Sequence, residues 1–246
     1  MRALLFAAVS SLIWFTTPAS GETGATQVRI PRIGCPADGQ VGPQKAPPNG
    51  TKVVQLSPAA ANRLAWYVGA YGTHTLAPRG WGCIELSGSN GSMLLVTPQA
   101  VKATDFLSKK WKGITGFGVT VLARVGDTSG RFAVAEVAAR VFPAARKFVN
   151  AVIAEGLEQP SDFPAEPYPH DSLTYRTGTL VEFTTAPHAK GLGTLTWLEP
   201  NARPILGMAQ LNGDPPSLLS IAVRLPAGDD DLNATIISQA EGDGSE

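Results

Sequence analysis

The chain has 246 residues, of which 43% are hydrophobic and 16% are charged, and its formal net charge is zero. This composition supports one large or two small domains with a buried core, and it excludes a largely disordered chain. The zero net charge excludes the global positive field of a typical nucleic-acid-binding protein, so we expect no nucleic-acid partner.

The first 21 residues predict a cleavable signal peptide. Arg2 supplies a positive charge, residues 3–15 form a nearly uninterrupted apolar run, and residues 19–21 are small. The run is shorter than the roughly 20 residues that a membrane-spanning helix needs. We expect cleavage after Gly21 and a periplasmic or secreted mature protein without a transmembrane segment. The alternatives are cleavage after Ser20 or Ala25, and an uncleaved anchor.

Turn residues divide the rest of the chain into short elements. Residues 22–50, rich in Gly, Pro and Gln, predict an irregular lead-in. Serine or threonine followed by proline predicts two helix starts, at Ser57 and Thr97. Asn90-Gly91 predicts a hairpin turn. The predicted elements are a strand over 51–56, a helix over 57–67, strands over 81–86 and 92–96, a helix over 97–110, strands over 116–124 and 131–141 around a second hairpin turn at 126–130, a helix over 142–157, a loop over 158–172, and strands over 180–185, 192–198, 205–212 and 218–225.

This mixed order of strands and helices lacks regular helical crossovers. It predicts an α+β single domain over residues 51–227, with a mainly antiparallel sheet, hairpins and about three helices. After Arg224 the chain carries six acidic residues and no basic one, which predicts an acidic, disordered tail over 228–246. Residues 102–147 carry nine basic and three acidic residues, so they form either a solvated face or a groove for an anionic ligand.

The chain contains two cysteines, Cys35 and Cys83. A pair with no cysteine left over in an exported chain predicts a disulfide bond. The alternative is a free Cys83 that acts as a nucleophile with one of the three histidines.

Two stretches carry a resemblance to other proteins. They are APRGWGC at 77–83 followed by GSNGS at 88–92, and PSDFP at 160–164 followed by LTY at 173–175. Together with the predicted helix that begins at Phe142, they resemble a group of uncharacterised secreted bacterial proteins. The resemblance implies a bacterial, extracytoplasmic setting and assigns no catalytic residue.

Candidate binding residues come from an aromatic grouping. Trp66, Tyr67, Tyr71 and Trp81 could line a pocket for a sugar or another flat ligand, with His74 and Arg79 as polar contacts. The alternative is a core cluster around the predicted disulfide. The candidate ligand-binding residues are therefore His74, Arg79 and Trp81.

Catalytic candidates are weaker. His170, Asp171 and Ser172 place residue types of a hydrolase in one loop, but neighbours in sequence need not have catalytic geometry. The three histidines lack the short spacings of a metal site, so we expect neither a metal nor a cofactor. The sequence thus favours a non-catalytic exported domain that binds a small molecule or an envelope protein. The alternative is a small secreted hydrolase that uses His170 and Asp171, or a free Cys83.

Overall fold

A computed structural model of the chain describes residues 24–106, 108 and 111–243. The signal peptide predicted over residues 1–21 therefore lies outside the described residues, and so does the end of the predicted tail. Within the described part, no helix is long and apolar enough to cross a membrane.

Strands dominate the described part of the chain, and they form two sheets, one of four strands and one of eight. The strand orders are β3-β1-β4-β5 and β2-β6-β7-β8-β12-β11-β10-β9. Two of the pairings, β1 with β4 and β2 with β6, are parallel, and the others are antiparallel. The strands are β1 (Thr26–Cys35), β2 (Ala37–Gly39), β3 (Gly50–Leu56), β4 (Leu64–Gly69), β5 (His74–Pro78), β6 (Gly82–Gly88), β7 (Gly91–Thr97), β8 (Gly118–Arg124), β9 (Asp171–Tyr175), β10 (Leu180–Thr185), β11 (Ile205–Asn212) and β12 (Ser217–Arg224).

The described residues form five α-helices, where about three helices were predicted, and four 3-10 helices. Serine 57 caps the first helix as predicted, because its side chain accepts a hydrogen bond from the backbone N–H of Ala60 at 3.2 Å. The α-helices are α1 (Pro58–Arg63), α2 (Ala103–Phe106), α3 (Arg131–Val141), α4 (Arg146–Ala154) and α5 (Asn233–Asp243). The 3-10 helices are Pro143–Ala145, Pro160–Asp162, Leu192–Thr196 and Ala227–Leu232.

The eight-stranded sheet is the middle of three layers. One hydrophobic cluster fills the space between this sheet and the four-stranded sheet, and α5 adds Ile236 to it. A second cluster lies on the opposite face, where α3 and α4 cover the sheet. Strand β7 shows the consequence, because Leu94 packs in the first cluster and Leu95 in the second. A strand buried on both faces has a continuous apolar sequence.

A disulfide bond joins Cys35, at the end of β1, to Cys83 on β6. It therefore links the four-stranded sheet to the eight-stranded sheet, and it confirms the predicted pairing. The alternative of a free Cys83 is wrong, because a sulfur held in a disulfide cannot serve as a thiol nucleophile.

Several sequence predictions are confirmed. The fold is mixed α and β with mainly antiparallel strands, and β10 and β11 have the predicted bounds. The hairpin of β6 and β7 turns at Ser89-Asn90, with Gly88 paired to Gly91. Gly91 has a φ of 129°, and a Cβ there would lie 2.1 Å from the carbonyl oxygen of Ala123. This position therefore requires glycine.

Several predicted elements are different in the structure, and the helix predicted over 57–67 ends at Arg63 because β4 begins at Leu64. Residues 22–50 were expected to be irregular, but β1 begins at Thr26 because its backbone pairs with both β3 and β4. Residues 131–141 form helix α3 instead of a strand, and the second hairpin is absent, because Val134, Ala138 and Val141 pack as one helical stripe on the sheet. Of the helix expected over 97–110, the described residues contain α2 alone.

Two further predictions need correction. Residues 192–198 contain a 3-10 helix instead of a strand. The tail expected to be disordered from residue 228 folds through the 3-10 helix Ala227–Leu232 and α5, with Ile236 fully buried. Its aspartates at 229–231 have basic partners; for example, Asp231 pairs with Arg63 at 2.7 Å and Asp230 pairs with Arg203.

Candidate functional site

A cavity of about 670 Å³ lies where β9 begins and β10 ends. Four basic or imidazole side chains line it: Arg140 from α3, His170 before β9, and His188 and Lys190 from the loop after β10. Tyr168 adds an aromatic wall, and prolines, alanines and Leu195 provide apolar surface. We call this space the basic cavity.

Strand pairing brings these residues together. Thr185 is opposite Asp171 in the β9–β10 pair, and the carbonyl oxygen of His170 accepts a hydrogen bond from the N–H of Ala186 at 3.0 Å. The loop that follows Ala186 contains His188, which lines the same cavity as His170. The N–H of His188 donates to the carbonyl oxygen of Asn201 at 2.7 Å, and its φ of 59° is left-handed.

Hydrogen bonds to the Asp171 side chain hold this loop in place. One carboxylate oxygen accepts a hydrogen bond from the hydroxyl of Thr185 at 2.6 Å, and the other accepts from the N–H of Leu192 at 2.7 Å. The Thr185 oxygen also accepts from the N–H of Gly193 at 3.0 Å. These bonds satisfy N–H groups at the start of the 3-10 helix Leu192–Thr196, which otherwise would have no partner. Burial raises the pKa of the Asp171 carboxyl, although both hydrogen bonds act in the opposite direction.

Gly191 permits this contact. A Cβ at this position would lie 2.0 Å from one carboxylate oxygen of Asp171. Its backbone is extended, with a φ of −176°, so close approach rather than backbone strain requires glycine here.

Arg140 and Tyr168 form the inner wall of the basic cavity. The guanidinium carbon of Arg140 lies 4.7 Å from the centre of the Tyr168 ring, and its Nη1 donates to the carbonyl oxygen of Glu166 at 2.8 Å. The Nε of Arg140 and the hydroxyl oxygen of Tyr168 are both buried, and neither has a hydrogen-bond partner among the described residues. Burial also raises the pKa of the Tyr168 phenol, and the nearby Glu136 adds to the increase.

The structure does not assemble a hydrolase site from the predicted catalytic residues. His170 lines the cavity, but both oxygens of Asp171 are bonded to Thr185 and Leu192, and no hydrogen bond links Asp171 to His170 within the described residues. Ser172 is exposed on edge strand β9. A serine nucleophile needs a histidine within hydrogen-bond reach and an acid that orients that histidine.

The predicted binding residues His74, Arg79 and Trp81 do not share a cavity. His74 stacks on Trp66 with ring centres 4.7 Å apart, beside a small cavity of about 120 Å³. Arg79 and Trp81 do not line that cavity. Arg79 instead donates to the carbonyl oxygens of Ala61 and Leu64 at the end of α1.

The backbone of Trp81 takes part in a hydrogen-bond network around Tyr67. Its N–H donates to the Tyr67 hydroxyl at 3.1 Å, while that hydroxyl donates to the carbonyl oxygen of Pro78 at 2.8 Å. Trp66, Tyr67 and Cys35 belong to one buried cluster, against which Trp81 and Cys83 pack. This arrangement is the core cluster around the disulfide that the sequence offered as the alternative.

Of the described residues in the basic stretch over 102–147, Arg140 alone lines the basic cavity. Lys147 lines a different cavity between α4 and the turn after β11. The sequence therefore missed most of the site. His188 and Lys190 lie in a short loop between a strand and Gly191, and no spacing in the sequence links them to Arg140.

No protein family, no curated protein and no solved structure matches this chain. Among the described residues, no group of three or more histidine, cysteine, aspartate or glutamate side chains is arranged to hold a metal ion.

Proposed function

We propose that this chain is an exported, non-catalytic domain that binds a small anionic molecule in the basic cavity. The observation that carries the proposal is the convergence of Arg140, His170, His188 and Lys190, from three separate segments of the chain, on one cavity of about 670 Å³. This volume lies within the usual range of small-molecule sites. The chain as a whole has no net charge, so the cavity is a local excess of basic side chains.

The two acidic residues near the cavity are not part of its lining. Asp171 lies behind the wall, where its charge is held by Thr185 and Leu192. Glu136 lies one helical turn before Arg140 and does not line the cavity. An anion that enters the cavity would therefore meet donors and positive charge on several sides.

The apolar part of the lining indicates an organic ligand. Pro169, Pro187 and Leu195 offer surface for a carbon skeleton, while the basic side chains offer contacts for its charged group. Such a division between apolar lining and a few polar anchors is typical of ligand sites.

Export is the second part of the proposal. The apolar run over residues 3–15 supports it, and the disulfide between Cys35 and Cys83 fits an oxidising compartment. The resemblance to secreted bacterial proteins points to the same setting.

A thermal-shift and calorimetric screen tests the binding proposal. The probes are inorganic phosphate, sulfate, acetate, succinate and citrate, each at the same ionic strength as a sodium chloride reference. At least one should raise the melting temperature of residues 22–246, and the variant H188Q/K190Q should weaken its binding about tenfold or more. Stabilisation by none of the five, or equal binding to the variant, would contradict the proposal.

Export is tested separately. The full chain, expressed in a bacterium, should appear outside the cytoplasm with its first 21 residues removed, as measured by mass spectrometry of the intact protein. A charge in the apolar run, Leu5→Asp, should retain the uncleaved chain inside the cell. An uncleaved wild-type chain in the cytoplasm would disprove this part.

A further inference from the structure

The inner wall of the basic cavity has a feature that net charge alone does not explain. Two hydrogen-bond donors, the Nε of Arg140 and the hydroxyl of Tyr168, are buried and lack a partner among the described residues. A buried donor without an acceptor loses the hydrogen bond that it makes to water in the unfolded chain, so such groups are rare in folded proteins and need an explanation.

Other tyrosines of the chain show the contrast. The Tyr67 hydroxyl is buried and makes hydrogen bonds to the backbone of Pro78 and Trp81. The Tyr175 hydroxyl donates to the carbonyl oxygen of Val141 at 2.8 Å. Thus the fold pairs these two hydroxyls with its own backbone and leaves Tyr168, in the cavity wall, unpaired.

The two donors are held in one place. The Arg140 guanidinium lies over the Tyr168 ring, and the bond from Nη1 to Glu166 fixes its orientation. A guanidinium that keeps some of its N–H groups free is a specific donor for carboxylate and phosphate oxygens. A phenol hydroxyl beside it donates to the same kind of acceptor.

We infer that the ligand of the basic cavity is an organic oxyanion, whose carboxylate or phosphate group is held by Arg140 and by the hydroxyl of Tyr168. This inference rests on the proposed function and adds the chemical class and the orientation of the ligand. The oxyanion lies against the inner wall, and His188 and Lys190 contact the outer part of the molecule.

The test uses Tyr168→Phe, which removes the hydroxyl and changes neither the charge nor the ring under Arg140. Because the buried hydroxyl has no partner among the described residues, we expect this variant to fold and to be at least as stable as the wild type. Its affinity for phosphate or succinate, measured by calorimetry at constant ionic strength, should fall about five- to tenfold. The matched control is Tyr71→Phe, at an exposed tyrosine outside the basic cavity, which should bind as the wild type does.

A second variant, Arg140→Lys, keeps the positive charge but loses the planar donor group, and it should weaken binding by a similar factor. Comparison of phosphate with succinate separates the two sources of an oxyanion. Wild-type affinity in Tyr168→Phe and Arg140→Lys, together with loss in H188Q/K190Q, would overturn this inference and leave the proposed function standing. Equal competition by chloride would also overturn it. Failure of every oxyanion to bind the wild type would reject both proposals.

Discussion

The hydroxyl of Thr185 donates a hydrogen bond of 2.6 Å to the carboxylate of Asp171, and this contact joins β9 and β10 at the floor of the basic cavity. The other carboxylate oxygen accepts from the N–H of Leu192. One side chain thus anchors the loop that carries His188 and Lys190. Asp171 therefore positions this loop and does not itself bind the ligand.

Replacement of Asp171 tests this role. Asp171→Ala leaves the Thr185 hydroxyl and the Leu192 N–H without their acceptor, so we expect a loss of about 2–4 kcal/mol in the free energy of unfolding. Urea denaturation followed by circular dichroism measures it. Asp127→Ala, at an exposed aspartate without a hydrogen bond in the structure, is the matched control and should change stability by less than about 0.5 kcal/mol. Equal effects of the two substitutions would contradict the assignment.

Gly191 tests the same contact from the other side. In Gly191→Ala the new methyl group would overlap the Asp171 carboxylate, which must then move away from Leu192. We expect destabilisation by about 1–3 kcal/mol and weaker binding of the oxyanion probes. Gly178→Ala, where the added Cβ meets no atom within 4 Å, should leave both quantities nearly unchanged. A neutral Gly191→Ala would show that the loop has room that the structure does not indicate.

Arg224 is a buried cation that holds the segments around Ile114 and Glu199 in place. It is 1% exposed, and its guanidinium donates to the carbonyl oxygens of Ile114, Gly116 and Glu199. Arg224→Met leaves these oxygens without their donors, so we expect a loss of about 3 kcal/mol or more. Arg146→Met, at an exposed helical arginine, is the control for loss of a charge. Chemical denaturation measures the stability of both variants. Equal stability of Arg224→Met and Arg146→Met would contradict this structural role of Arg224.

The buried hydroxyls of two tyrosines lead us to expect a loss of stability in alkaline solution. Burial raises the pKa of Tyr67 and of Tyr168 above the ordinary value of 10.0. Above pH 10 the unfolded chain therefore releases phenolic protons that the folded chain retains, and the free energy of unfolding falls as the pH rises. Tyr168→Phe should be at least as stable as the wild type at pH 7 and lose less stability between pH 10 and pH 11. An unchanged slope of stability against pH would contradict this prediction.

The disulfide predicts a large effect of reduction. It closes a loop with a sequence separation of 48 residues and joins the two sheets. On the chain-entropy account, the bond stabilises the fold by about 4 kcal/mol. The variant C35A/C83A should lose a similar amount in urea denaturation, and a reducing agent should not destabilise it further. A variant as stable as the oxidised wild type would show that the core holds the sheets together without the bond.

Strong local signals in the sequence predicted individual elements correctly. The Asn90-Gly91 pair predicted the hairpin, which turns one residue earlier, at Ser89-Asn90, with Gly91 at a φ of 129° that glycine readily adopts. Ser57 with the following proline predicted the start of α1. Strands β10 and β11 were recognised from apolar runs between turn residues. The cysteine pair was predicted because no other cysteine competes for either partner.

Elements without such local signals were decided by distant partners. The alternation of valine and alanine over residues 131–141 fits a strand as well as a helix, and packing on the eight-stranded sheet selects helix α3. The acidic residues after Arg224 have no basic neighbour in sequence, but folding brings Arg63 and Arg203 to Asp231 and Asp230. The charge pattern therefore predicted a disordered tail. The tail is folded instead, because its aspartates form ion pairs with distant arginines and Ile236 and Ile237 are buried.

The sequence by itself determined that the protein has a buried core, a single disulfide and a mixed fold with mainly antiparallel strands. Only the tertiary structure decided the site. Arg140, His170 and His188 lie on a helix and two loops, and the pairing of β9 with β10 brings the two histidines to one cavity. Local propensity specifies turns and strands, because it acts over a few residues. A cavity is formed by residues far apart in the chain, so its lining depends on strand order and packing that no short segment encodes.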